Sequence, residues 1–393
     1  MLSQLIAVTA VNLRSIRQRL GSSTVAVVGI AGVVLVFVGV LSIAEGVRKT
    51  MQASGDPNTV MILRAGSDTE MTSGLTGDMA RVIQDAPGIA HDADGAMVSP
   101  ELFVVVDDPL RRGGSTANVP LRGVTPMAFN VHDRLKIIQG RRFEFGKNEI
   151  IVGRAAESQF RGLEPGSSVK WGENSWQVVG VFEDGGSVTE SELWCDVKIL
   201  QPAYRRGNTY QSVYAKLASP GSFQQLKDSL TTNPQLTVSA MREPEYYATQ
   251  TETLQNVIWT IGLIIGILMG TGAVFGAVNT MYTAVASRTR EIATLRALGF
   301  GSLPVVFSVL TEAAILSLIG GLIGGAIAWA AFDGYQTATM NFQSFSQIAF
   351  AFSVSGKLLA TALFYAVVMG LLGGLLPAIR AARLPVVTAL REL

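Results

Sequence analysis

The sequence predicts an α-helical membrane protein with four transmembrane helices plus a mixed α/β extracytoplasmic domain of two subdomains. Three observations predict it. Only 16% of the 393 residues are charged, against about 25% in an ordinary soluble domain. The deficit is concentrated in apolar runs at 20–44, 253–287, 302–332 and 358–379, which contain one charge, Glu312. Between the first two runs lies a long stretch of ordinary polarity, at 45–252, in which strand-like and helix-like segments alternate.

Taken in order, residues 1–20 place Leu2, Leu5, Ile6, Leu13, Ile16 and Leu20 near one helical face, with Arg14 and Arg17 off it. This pattern suits a helix lying in the membrane interface, and equally a plain extension of the first membrane helix. About 20 apolar residues rising 1.5 Å each cross a hydrocarbon core of roughly 30 Å. Helices are therefore expected at about 24–43, 257–285, 303–331 and 358–379. The first has a basic flank but is longer than a signal-peptide core and lacks a small-residue cleavage site, so it reads as uncleaved. Domain limits follow as 1–20, 21–45, 46–248, 249–286, 287–302, 303–332, 333–356, 357–380 and 381–393. The segment 246–256 is polar, which predicts that the second helix continues beyond the membrane as a stalk.

Orientation is read from Lys and Arg beside the helix ends. Arg14, Arg17 and Arg19, then Arg288, Arg290 and Arg296, then Arg380, Arg383 and Arg391 mark one side, while 333–356 has neither Lys nor Arg. Both termini and 287–302 are expected in the cytoplasm, with 45–252 outside. Trp259 and Trp329 sit at the outer helix ends, where aromatic belts form.

In the outer segment, 58–66, 101–108, 148–153, 167–172, 175–184 and 235–241 read as strands, and 77–89 and 221–232 as helices, the latter opened by a capping Ser. The strand–helix rhythm at both ends around a β-rich middle suggests the two subdomains. Its 26 Asp and Glu outnumber 21 Lys and Arg, which argues against nucleic acid as a partner. The single cysteine, Cys195, allows no disulfide within the chain and reads as a buried thiol. One cysteine and two histidines make neither a zinc site nor a catalytic triad, so no catalytic residue and no metal is expected. The stretch 140–148 fails as a phosphate-binding loop: five residues separate Gly140 from Gly146, and Asn148 stands where a hydroxyl is needed.

Gly262, Gly266 and Gly270, Gly320, Gly321 and Gly324, and Gly370 and Gly374 carry four-residue spacings that let membrane helices approach closely, within one chain or in a dimer. Glu312 is expected deep in the third helix, facing other protein, with Asn279 or a backbone carbonyl as its partner. With no Lys or Arg expected nearby, a protonated carboxyl in an interhelical hydrogen bond is preferred to a proton relay. Residues 287–298 form a short amphipathic helix stopped by Gly299. Ile292, Leu295 and Leu298 share its apolar face, Arg288 pairs with Glu291, and the arginines are free for a partner's carboxylates.

The stretch 278–300, VNTMYTAVASRTREIATLRALGF, resembles the segment joining the second and third membrane helices of MacB/FtsX-type ABC transporter permeases, through Asn279, Arg288, Thr289, Arg290, Glu291, Ile292, Leu298 and Gly299. TEAAILSLIGGLIGGAIA at 311–328 and LLPAIRAARLPVVTALREL at 375–393 are similar to two further family motifs. LRGVTPMAF at 121–129 resembles the outer domain of the MacB-like branch. The resemblance implies a dimer of permeases, homo- or heteromeric, working with a separate ABC ATPase subunit. It implies ATP and Mg on that partner, no cofactor in this chain, and Arg288–Leu298 with Leu295 and Arg296 as the coupling helix. Export by mechanotransmission is the reading preferred, with a periplasmic adaptor and outer-membrane channel marking a tripartite exporter. The alternative is an FtsX-like regulator of a periplasmic or cell-wall enzyme.

Overall fold

The computed structural model describes residues 20–111, 113–340 and 347–383. The interfacial helix expected at 1–20 and the tail beyond 383 lie outside the described residues. The chain divides into two compact units. One comprises Val47–Leu254 and Gln336–Ala351, and the other takes the chain on either side of them.

Helix α1 (Leu20–Ala53) outruns its expected end at 45. In the outer unit, β1 (Thr59–Arg64) is followed by α2 (Gly77–Gln84), whose first turn is capped by Thr76 accepting from the Met79 amide. Then come β2 (Val98–Pro109), β3 (Thr116–Val124), the single turn α3 (Ala128–Val131), β4 (Lys136–Gly140), β5 (Glu149–Gly153) and α4 (Arg154–Gln159). They are followed by β6 (Ser168–Trp171), β7 (Asn174–Glu183), β8 (Leu193–Asp196), α5 (Val197–Ala203), β9 (Ser212–Lys216), α6 (Phe223–Thr232) and β10 (Val238–Arg242). The ten strands form one sheet in the order β10-β1-β9-β2-β3-β8-β5-β7-β4, with β6 beside β7. The pairs β3–β8 and β5–β7 are parallel, and the others antiparallel.

The two expected subdomains correspond to two separate cores on this one sheet. At one end β1, β9 and β10 pack Ile62, Val213 and Val238 against Ile83 of α2 and Leu226 of α6. Further along, Leu121, Val152, Trp176, Leu193 and Cys195 pack against Leu200 of α5. The long strand β2 serves both, pairing with β9 through 98–101 and with β3 through 102–109. Side-chain alternation sends Leu193 and Cys195 of β8 to that second core, while Trp194 joins Phe129 and Phe182 on the opposite face. Cys195 is a buried free thiol, and burial pushes its pKa up.

Three expectations are corrected here. Strand β3 is not among the expected strands; it runs through Pro120 and Gly123, residues that weaken a strand pattern. The segment 333–356, expected as a plain loop, carries a hairpin of β11 (Gln336–Met340) and β12 (Gln347–Ala351). Ile348 and Phe350 of β12 are buried, and the Ala349 amide donates to Ser191 Oγ at 3.0 Å, which makes the hairpin part of the outer unit. Ser222 precedes α6 but makes no cap bond; its hydroxyl contacts that of Ser219.

The membrane unit is completed by α7 (Glu243–Ala286), α8 (Thr289–Ala297), α9 (Ser302–Phe332) and α10 (Gly356–Ala382). Helix α7 starts at Glu243, ahead of the expected 249, because Pro244 suits a first helical turn and Glu243 and Glu245 complement its dipole. Parts of α1, α7, α9 and α10 are long and apolar enough to cross a membrane.

Candidate functional site

Two arrangements carry chemistry, one in each unit. In the membrane unit, α8 ends in a full Schellman motif. The Phe300 amide donates to Leu295 O, the Gly299 amide to Arg296 O, and Gly299 takes a φ of 90° that favours glycine. One strip of α8 is buried: Ile292 and Ala293, with Ile292 packed among Val285, Val305, Val309, Ala378 and Ala381. The opposite strip is exposed: Arg290, Glu291, Thr294 and Leu298. Thr289, Leu295 and Arg296 are half-buried, and the Thr289 hydroxyl donates to Ala286 O.

The structure corrects three sequence expectations at this helix. Leu298 does not share the apolar face; it is 72% exposed, because α8 stops at Ala297 and Leu298 is its cap. Arg288 is not a surface arginine. It is buried, and its Nη1 lies 3.6 Å from Glu312 Oε2, so its ion pair is with Glu312 rather than the expected Glu291. Glu312 therefore has a buried cation beside it, where Asn279 or a carbonyl was expected. Asn279 is exposed.

The spaced glycines stand where helices of this chain meet. A side chain on Gly262 would strike Leu41 of α1, one on Gly266 would strike Phe37, and one on Gly270 would strike Tyr365 and Met369 of α10. Gly320 and Gly324 face Ile30 and Ala31 of α1, and Gly321 faces Leu363 and Ala366 of α10. Gly370 and Gly374 face Ser317 and Ala313 of α9.

The second arrangement, in the outer unit, was missed from the sequence. Arg122 of β3 is buried and bridges three carboxylates. Its Nε and Nη2 donate to Glu192 at 2.7 and 2.8 Å, and its Nη1 and Nη2 to Glu70 at 2.8 and 3.0 Å. Nη1 also donates to Glu101 Oε2 at 3.0 Å. Ser212 Oγ donates to Glu70 Oε1 and Trp194 Nε1 to Glu192 Oε2, so each of these oxygens accepts a second hydrogen bond beside that from Arg122. His132 Nε2 lies 3.2 Å from Glu101 Oε1. Burial opposes the charge of Glu101, but His132 and Arg122 outweigh it and hold the carboxyl below its usual range. Burial likewise works against the imidazolium of His132, and Glu101 outweighs it and raises the pKa. The first turns of α7 join the same region. Glu243 accepts from the Asp56 amide at 2.9 Å, Tyr246 Oη accepts from the Glu70 amide at 3.4 Å, and Gln250 donates to Asp68 O at 3.0 Å. Burial raises the Glu243 carboxyl to about 7. Among the described residues no His, Cys, Asp and Glu cluster is disposed to hold a metal.

Four membrane helices with a large α/β domain between the first two, and a short surface helix between the second and third, define the permease class of membrane transport proteins. The family model for the MacB-like periplasmic core domain matches residues 23–233, and that for the FtsX-like permease C-terminal region matches 263–386. The chain belongs to the MacB/FtsX-type ABC transporter permeases. It is 28% identical to the macrolide export ATP-binding/permease protein MacB 1/2 of Paracoccus denitrificans, over 99% of this chain and 58% of that relative's length. It is 25% identical to the ABC transporter permease YknZ of Bacillus subtilis, over 98% of this chain and 97% of that one. The solved periplasmic region of MacB from Actinobacillus actinomycetemcomitans is 17% identical with a TM-score of 0.36, covering 53% of this chain and 98% of that one.

Proposed function

We propose that this chain converts ATP hydrolysis by a separate ABC ATPase subunit into movement of its extracytoplasmic domain, driving export or extrusion of a substrate. The observation that carries the reading is the two-sided α8. Its apolar strip is held inside the membrane unit, while Arg290, Glu291, Thr294 and Leu298 face outward. The placement of arginines supports a cytoplasmic position for α8 and for both termini. ATP and Mg belong to the partner. The continuous helix α7 and the hydrogen bonds of Glu243, Tyr246 and Gln250 support α7 as the stalk that delivers movement to the outer domain. A large outer domain favours export over regulation of a cell-wall enzyme; an adaptor and an outer-membrane channel belong to the export reading.

The test is charge reversal on the exposed strip. Arg290→Glu together with Glu291→Arg is expected to cut co-purification with the ATPase at least tenfold while the chain still inserts and folds. Unchanged co-purification and unchanged ATPase stimulation reject the docking assignment.

A further inference from the structure

The buried pair Arg288–Glu312 is not explained by docking, since neither side chain reaches the exposed strip of α8. Charge bias at a membrane surface does not explain it either, because such an arginine stays in water. A cation at the N-cap also opposes the dipole of α8, so Arg288 weakens its own helix start unless an anion stands beside it. Glu312 supplies that anion from the third turn of α9. The residue after it, Ala313, lies against Gly374 of α10, and Ser317 one turn on lies against Gly370. The pair thus joins α8 to α9 one residue before the contact of Ala313 with α10, and Ile292, Val305, Val309 and Ala378 form an apolar cluster among the same three helices.

We propose that Arg288 and Glu312 are positioning residues that lock α8 to α9. Movement of α8 then carries α9 and α10 with it, as well as α7, to which α8 is joined by two residues of chain. Apolar contacts alone allow α8 to slide over its neighbours at little cost. A buried ion pair does not, because separating it takes each charge away from an opposite charge in apolar surroundings. The inference deepens the proposed function and rests on α8 being the point where the ATPase pushes.

The first measurement needs no ATPase. Spin labels at positions 294 and 322, both exposed, report the distance between α8 and α9 in the full chain in nanodiscs, and the native Cys195 is buried. A single narrow distance is expected for the parent. Arg288→Gln and Glu312→Gln are expected to broaden it, and Arg288→Glu with Glu312→Arg to narrow it again. The second measurement uses the complex with the ABC ATPase that co-purifies. The single variants are expected to bind it within twofold of the parent but to lose at least tenfold of the stimulated hydrolysis, and the swap to recover most of it. Single variants that keep both the narrow distance and full stimulation overturn the proposal and leave docking intact. If a single variant does not fold, a folded swap with a broad distance overturns it. Loss of ATPase binding by Arg290→Glu/Glu291→Arg, with the narrow distance kept, supports docking separately from the lock.

Discussion

Arg122 and Arg288 show how differently a buried arginine behaves from a surface one. Both are at most 8% exposed and both meet carboxylates inside the protein. Arg122 carries the heavier role, since Glu70, Glu101 and Glu192 converge on one guanidinium. Arg122→Met keeps much of the side-chain volume but removes the guanidinium on which the three carboxylates converge, leaving Glu101 with His132. Breaking a buried pair from one side costs about 3–5 kcal/mol, and a unit of this size loses roughly 2–4 °C per kcal/mol. The melting temperature of the full chain in detergent, followed by tryptophan fluorescence, is expected to fall by about 10 °C. A fall under about 2 °C would mean that the network contributes little. None of these partnerships was legible in the sequence. The four residues come from distant segments, and no spacing rule links a strand arginine to a glutamate seventy positions away. The one available signal was an arginine between Leu121 and Gly123 in the apolar stretch Val119–Val124.

At the scale of elements, what could be read was what local physics dictates. Apolar length located α1, α7, α9 and α10, and charge with helical spacing located α8. Gly299 marked the end of α8 because its positive φ closes the Schellman motif. What could not be read depended on distant partners: β3 with its proline, the hairpin β11–β12, and the buried orientation of Arg288. The glycines divide along the same line, since spacing alone does not tell which of them touch a neighbour. Gly324 does: a Cβ there would stand 2.9 Å from Ala31 Cα. Gly29 does not, since a Cβ there would meet no described residue within 4 Å. Overpacking costs about 1–3 kcal/mol where side chains can shift, and here the obstacle is backbone. Gly324→Leu is therefore expected to lower the yield of folded protein and its melting temperature, with Gly29→Leu close to the parent. Equal behaviour of the two variants would show that the α1–α9 approach is not tight.

For the whole molecule, the question is what covers α7. Its membrane segment is 22% buried within the chain, against 44% for α1 and α9. Lipid would suffice if the free face were made of large apolar side chains. It holds Leu268 and Phe275, but also Gly272 and Gly276, where a Cβ would meet no described residue within 4 Å, and the exposed Asn279. Small residues spaced by four and an amide are a poor match to acyl chains and a good match to another helix. Gly262, Gly266 and Gly270 of the same helix pack against described residues of this chain, so the expected occupant of the open pair is a helix of a second permease copy. Gly276→Cys is expected to give a disulfide-linked dimer on mild oxidation in membranes, in several-fold greater yield than Leu322→Cys, an exposed site on α9. A homodimer joined through α7 would set the two stalks side by side. A docked ATPase pair could then move both α8 helices in one stroke. Equal or absent cross-linking at 276 and 322 would remove α7 as the dimer contact and leave its polar face to a different membrane partner.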